Sequence, residues 1–350
     1  MRDYHQEMTD GIIAAIEKGV APWQRPWNAN AVPPIPYNPT TGKQYRGGNV
    51  LWLMCQAMDK GYDDNRWMTF KQAQEHGWQV QKGQQGTCIA YWKRTTTKKE
   101  LDPETGEQVK REAPLEHPVP FYAIVFNAQQ VQGVPQLERR EVTWNPVVRA
   151  EAILSGSGAK IAHDGGNRAF YRPSTGDIHL PARADFTDAG AYYDTALHEL
   201  GHWTGHSSRL NRQMSGRFGS PEYAKEELRA EISSFFTGVE IGLPHNMEQH
   251  SAYVGSWIKV LKEDKFEIFR AARDAEKIED YLLSRELHQE RQAGQDERSG
   301  NDRDRVIPIS EKVAKPVMKD RDKQVQPVYW EDVHHREAVA MAGREYENDR

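Results

Sequence analysis

The sequence predicts an α+β protein with two folded domains, at 1–135 and 146–284, and a charged, largely disordered tail over 285–350. Three observations predict it. Segments with apolar residues three and four apart alternate with short runs rich in β-branched and aromatic residues, so neither period dominates. A proline-bounded stretch from Pro135 to Pro146 separates two such mixed regions. A length of 350 residues fits two domains of ~100–200 residues each.

In the first region, residues 3–18 form an amphipathic helix with Met8, Ile12, Ala15 and Ile16 on one face and Gly19 just past its end. Pro22-Trp23-Gln24-Arg25-Pro26-Trp27 and Pro33-Pro34-Ile35-Pro36 exclude helix interior. A second helix covers 48–59 on the stripe Val50, Leu51, Leu53, Met54, Ala57, and a short one covers 69–76 with Thr69 as its cap. Thr87–Trp92 and Pro120–Phe126 read as strands, and the charged 95–117 between them as a mobile hairpin loop. In the second region a helix at 147–154 precedes a Gly-rich loop. A hairpin follows, made of 169–172 and 177–181 around Pro173-Ser174-Thr175-Gly176. Helices then cover 189–206, 221–239 and 250–283. From 285 onward the chain is polar and charged, which predicts disorder, with Val328-Tyr329-Trp330 as a docking patch.

Composition excludes several classes. No apolar run approaches the ~18 residues of a membrane helix, and Met1–Asp10 is polar where a secretory signal is apolar. Cys55 and Cys88 are too few for a cysteine metal cluster, and the expectation is a cytoplasmic protein with free thiols. The net charge of −5 averages unlike parts: residues 1–99 hold 13 Lys/Arg against 8 Asp/Glu. The front half is mildly basic on an acidic protein.

The chemistry lies in His198-Glu199-Leu200-Gly201-His202. On a helix, residues four apart share a face, so both histidines reach one ion while Glu199 stands beside its water. Three fixed positions recur by chance, but Ala196, Leu197 and Leu200 give this helix an apolar back, small Gly201 permits close packing, and a hairpin lies just upstream. His206 continues the series but sits ~12 Å along the axis from His198, too far to share an ion. Ser208 stands where a longer three-histidine pattern would place its last histidine. The third ligand is therefore expected from 223–231, where Glu227 and Glu231 share a face. We read Glu227 as ligand, Glu231 as the group orienting a ligand histidine, and Glu226 as the fallback. Against this stands an ordinary exposed acidic helix face. The expected ion is Zn2+, other divalent metals being compatible; Glu199 is the catalytic base, acting on a peptide or protein substrate. Tyr171, His206 and Tyr223 are candidates for stabilising the developing oxyanion.

The residues His198–His206, Arg209-Leu210-Asn211-Arg212 and Tyr223-Ala224-x-Glu226-Glu227-Leu228-x-Ala230-Glu231 resemble the zincin-like metallopeptidase domain of ArdC-type antirestriction proteins. Trp23-x-x-Pro26-Trp27, Thr41-Gly42-Lys43-x-Tyr45-Arg46-Gly47-x-Asn49, Trp67-x-Thr69-Phe70-x-Gln72-Ala73 and Val80-x-Lys82-Gly83 resemble the N-terminal single-stranded-DNA-binding domain that ArdC shares with TraC-type conjugative primases. Phe126-Asn127-x-x-Gln130 fits its end. The resemblance spans roughly 1–283. It implies an antirestriction protein of a mobile element that binds single-stranded DNA, and it again points to Glu227 through similarity to ImmA/IrrE-type peptidases. No primase catalytic block is recognisable in 285–350, so polymerising activity does not carry over.

Six of ten tryptophans lie in residues 1–99, interleaved with Lys and Arg. Stacking rings beside a basic groove suit single-stranded nucleic acid. The expected contacts are Trp27, Lys43, Tyr45, Arg46, Trp67, Lys71, Lys82 and Lys93, whereas Trp52, in an apolar stripe, reads as core. Two other classes compete: a protein that only coats DNA around a structural or vestigial metal site, which would have no need of Glu199, and a primase remnant without proteolysis.

Overall fold

A computed structural model describes residues 3–24, 35–101, 108–137, 145–214, 216–243 and 253–299. The described parts of 1–25, 29–141 and 258–273 make one compact unit, and those of 142–257 and 274–299 make the second. Among the described residues no helix is long and apolar enough to cross a membrane.

In the first unit, α1 (Tyr4–Glu17) starts where the Asp3 carboxylate accepts from the Gln6 N–H, and it buries Met8, Ile12, Ile13 and Ile16. α2 (Gly48–Lys60) buries Val50, Leu51, Leu53 and Met54. β1 (Trp67–Thr69) leads into α3 (Phe70–Glu75), whose Thr69–Gln72 capping box satisfies two backbone donors reciprocally. β2 (Gln79–Val80), β3 (Thr87–Leu101), β4 (Gln108–Asn127) and β5 (Val131–Gln132) complete it. The sheet order is β1-β4-β3, with β2 and β5 paired separately. Leu53 meets Trp67, Ile89 and Val125 in a buried cluster. The expectation of a loop over 95–117 is corrected. Past an irregularity between Lys93 and Thr95, β3 and β4 stay paired from Thr95↔Pro114 to Leu101↔Gln108. The charges obscured a run of β-branched Thr95, Thr96 and Thr97; residues 102–107 lie outside the described set.

The second unit opens with α4 (Pro146–Gly156), capped by Asn145. β6 (Lys160–Ala162), β7 (Phe170–Arg172) and β8 (Asp177–His179) form a sheet of order β6-β8-β7. The hairpin β7–β8 matches the sequence pattern; three-residue β6, parallel to β8, was too short to read. α5 (Ala189–Trp203) ends three residues before the expected 206, and α6 (Pro221–Ile241) stops at Gly242, whose φ of 78° is a left-handed cap. Their apolar faces close one core with Ile153, Tyr171, Ile178, Leu197, Leu200, Ile278 and Leu282.

The single helix expected over 250–283 is two, α7 (Val254–Glu263) and α8 (Glu267–Ser299). The Asp264 carboxylate, accepting from the Phe266 N–H at 2.9 Å, restarts the chain as a new helix. Residues 258–273, assigned by sequence to the second domain, belong to the first unit because they pack on α1: Thr9 Oγ1 donates to the Lys265 carbonyl at 2.7 Å, Lys262 meets Glu17, Lys265 pairs with Asp3, and the His5 ring lies 5.1 Å from Phe266 and Phe269. α8 also continues through 285–299, where disorder was expected. Glu, Gln and Arg are good helix formers. Residues 300–350, Val328-Tyr329-Trp330 among them, lie outside the described set.

Candidate metal centre

α5 and α6 touch almost backbone to backbone. A Cβ on Gly201 would lie 2.8 Å from Ser233 Oγ and 3.4 Å from Ala230 Cα, so any larger residue would have to push the Ser233 hydroxyl aside. That contact carries His198 and His202 on α5 to Glu227 on α6, and one ligand atom from each of the three falls within 4.8 Å of the others. The two Nε2 atoms are 3.2 Å apart; His202 Nε2 is 3.3 Å from Glu227 Oε1, and His198 Nε2 is 3.6 Å from Glu227 Oε2.

These spacings test whether an ion fits. A tetrahedral ion with ligand bonds of ~2.0–2.1 Å has ligand–ligand edges of ~3.4 Å. The three measured edges bracket that value. Two imidazole nitrogens facing each other at 3.2 Å with a carboxylate beside both suit a shared cation better than hydrogen bonding among themselves.

Each ring's other nitrogen has its own carboxylate. His198 Nδ1 is 3.3 Å from Glu231 Oε2, and His202 Nδ1 is 3.3 Å from Glu226 Oε1. A proton on each Nδ1 leaves both Nε2 lone pairs aimed at the common point. Sequence reading reserved Glu226 as a fallback ligand; in the structure its carboxylate faces His202 Nδ1 and not the point the two Nε2 atoms share. Arg212 holds Glu226 in turn, at 2.6 Å and 3.2 Å, and also donates to Thr204 Oγ1 at 2.7 Å and the Gly201 carbonyl at 2.8 Å. Arg212 and Thr204 were missed as functional residues, although both stand in the segments that carried the family resemblance. Glu199 is buried beside the cluster, with neither carboxylate oxygen in a close hydrogen bond.

The charges are strongly coupled. Burial presses both imidazoles toward neutrality, but Glu227 and Glu231 outweigh it at His198 and hold that ring well above its usual range. Glu227 and Glu226 raise His202 to about 9. Burial pushes the Glu226 carboxyl up, yet Arg212, with His202, drives it down to about 2. Glu227 is lowered by the two histidines against its own burial. Glu199 goes the other way: burial raises it and the histidines only partly oppose. A carboxyl with raised proton affinity is the kind of group that accepts and returns a proton near neutral pH.

Of the oxyanion candidates, the Tyr171 hydroxyl accepts from Arg209 at 3.3 Å, the His206 ring is held by Ser208 at 2.8 Å, and Tyr223 is buried against Phe218 and Tyr253.

In the first unit the expected DNA contacts divide. Lys43, Arg46, Lys71, Lys82 and Lys93 are exposed, Lys71 lying 3.6 Å from Glu75. Tyr45 is half-buried, its hydroxyl donating to the Trp67 carbonyl at 2.9 Å. Trp27 lies outside the described residues. Trp67 is a correction: it is fully buried among Leu53, Ile89 and Val125, with Tyr62 edge-on to its ring, and cannot stack on a base. Among the described residues the exposed rings of this unit are Phe70, Tyr91, Trp92, Phe121 and Phe266. Only the strand register distinguishes them, and the expected loop over 95–117 hid most of it.

Comparison with known proteins adds to this geometry. The family described as a zincin-like metallopeptidase matches residues 148–274, and the N-terminal domain of anti-restriction factor ArdC matches 2–122. A crystal structure of the antirestriction ArdC protein from the R388 plasmid, metal-free, is 38% identical with a TM-score of 0.66; the match covers 82% of this chain and 99% of that one. Its Mn(II)-bound counterpart is 36% identical with the same TM-score, covering 81% and 98%. Two DNA primases TraC of Escherichia coli are 52% and 50% identical over 82% of this chain, which spans only 28% and 20% of their lengths. An uncharacterized protein, y4eC, of Sinorhizobium fredii is 36% identical, with 83% of this chain and 94% of the relative covered.

Proposed function

Since the chain belongs to the ArdC family of antirestriction proteins and carries a zincin-like domain, we propose that it binds single-stranded DNA and hydrolyses peptide bonds at a zinc centre. In this reading 1–135 is the DNA-binding domain and 146–284 the peptidase. His198, His202 and Glu227 hold the ion, Glu231 and Glu226 orient the two rings, and the substrate is a protein met in the cytoplasm of a recipient cell. The observation that carries the reading is the convergence of two Nε2 atoms and one carboxylate at tetrahedral-edge spacing, with buried Glu199 beside them.

When bound, the ion supplies Lewis acidity and lowers the pKa of its water toward ~7. Glu199 accepts a proton from the attacking water and delivers it to the leaving amine. Glu231 and Glu226 keep the two Nδ1–H groups engaged, which holds both Nε2 atoms in their ligating orientation. That the R388 ArdC protein has been crystallised with Mn(II) supports a divalent metal here; a donor set of two imidazoles and one carboxylate would suit zinc. Relatives named ArdC and TraC support DNA as a partner.

The test is Glu199→Gln in the full chain. Metal content by mass spectrometry is expected to stay at one ion per chain, while hydrolysis of a peptide library falls by about 10²–10⁴-fold, the usual worth of a positioned base. The coating-only reading expects wild type to cleave nothing and Glu199→Gln to protect incoming DNA fully; that pair of results would overturn the enzyme assignment.

A further inference from the structure

The β3–β4 hairpin presents two aromatic rings that the core does not use. Tyr91 and Phe121 are direct cross-strand partners, their centroids 4.9 Å apart, and they are 44% and 49% exposed. Strand alternation puts Lys93 and its partner Val119, 51% exposed, next on the same face. Trp92, on the opposite face, stacks on His5 of α1 and so belongs to the packing of the unit.

Lys93, itself exposed, therefore sets a cation beside the ring pair on the face that Tyr91 and Phe121 share.

We propose that the Tyr91–Phe121 pair is the stacking platform for bases of single-stranded DNA, with Lys93 beside it contacting a phosphate. The assignment rests on the single-stranded-DNA reading above and replaces the buried Trp67 as the aromatic anchor. The two rings, tilted at 45° to each other beside a lysine, offer a π-face that any base can stack on, so the site is sequence-tolerant. A duplex, whose bases are already stacked on one another, is excluded from it.

Fluorescence anisotropy of a fluorescein-labelled dT20 oligonucleotide with the full chain tests the proposal. The double variant Tyr91→Ser/Phe121→Ser is expected to bind roughly 5- to 100-fold more weakly, one or two stacked bases' worth, while Tyr91→Phe keeps wild-type affinity. Lys93→Gln is expected to reduce the slope of log affinity against log salt by about 0.7. If wild type binds dT20 and the double variant binds equally well, the platform is wrong and the DNA reading survives. If wild type binds no single strand at any salt concentration, both fall. Unchanged DNA affinity with an altered oligomeric mass would make this face a protein contact and overturn the proposal. Should the double variant melt early, photocrosslinking of wild type to an iododeoxyuridine oligonucleotide decides: adducts on Tyr91 or Phe121 support it, and adducts confined to other segments overturn it.

Discussion

Replacing Arg212 with methionine keeps the length of the side chain and removes its charge from the middle of the second unit. The guanidinium makes two hydrogen bonds to Glu226 and one each to Thr204 Oγ1 and the Gly201 carbonyl, and both ionic partners are nearly buried, at 9% and 5% exposure. Glu226 is depressed from 4.5 to about 2, which at ~1.4 kcal/mol per unit is about 3 kcal/mol, shared between Arg212 and His202. Arg212's share and the orphaned Thr204 and Gly201 acceptors, ~1 kcal/mol each, together predict a loss of about 3 kcal/mol. That is the low end for breaking a buried pair. The assay is urea unfolding of metal-free protein at pH 7 and pH 3. A depressed carboxylate stabilises the fold above its unfolded pKa, and that stability is lost as pH falls through the folded one. Acidification therefore shrinks the deficit of Arg212→Met by about 1 kcal/mol. A deficit below about 1 kcal/mol at pH 7, or one that grows on acidification, refutes the reasoning.

Three further outcomes are expected. Glu231→Gln keeps the volume beside His198 Nδ1 but removes the charge, so zinc affinity by competition with a chromogenic chelator drops about 10- to 100-fold while the far-UV spectrum holds; unchanged affinity means Glu231 does not orient that ring. His202, raised from 6.5 to about 9, holds a proton at neutral pH in the metal-free protein. Its pairing stabilises that form below pH 6.5 and the stability declines as pH rises through about 9. Zinc must displace the proton, so calorimetry is expected to show affinity climbing up to ~10-fold per pH unit for each proton displaced between pH 7 and 9, and a flat profile contradicts this. Trp67→Ala is expected to cost about 3–5 kcal/mol in urea unfolding, with any loss of DNA binding tracking loss of fold; impaired binding at full stability would return Trp67 to the DNA surface.

The part of the site that local geometry determines was legible in the sequence. His198 and His202 share a face whatever the rest of the chain does, because the helical repeat alone dictates it. The choice among Glu226, Glu227 and Glu231 is different. Glu226 and Glu227 point ~100° apart around α6, and which one meets the histidines depends on how that helix rotates against α5, a matter of where Gly201 meets Ala230 and Ser233. Family resemblance pointed to Glu227, but residue pattern alone left the neighbouring carboxylates open. In the first unit, the Thr69 cap is local and was read from sequence, although its reciprocal bond with Gln72 was not. Whether Trp67 or Tyr91 faces water depends on pairing across β1, β4 and β3, which links residues up to 60 positions apart, such as Trp67 and Asn127. Burial of a ring is a property of the sheet and not of the ring.

The Gly201 contact would also work as a gauge for ionic radius. A methyl group at 201 would meet the Ser233 hydroxyl at 2.8 Å and the Ala230 Cα at 3.4 Å, so the two ligand-bearing helices have little slack between them. An ion that prefers six to eight oxygens at ~2.3–2.6 Å, as calcium does, would meet two nitrogens and one carboxylate there. A small first-row ion would suit that donor set better. Discrimination among metals would thus be built into the seam between two helices, and enlarging residue 201 by a single methyl group should alter which ion is retained before it alters how tightly any ion is held.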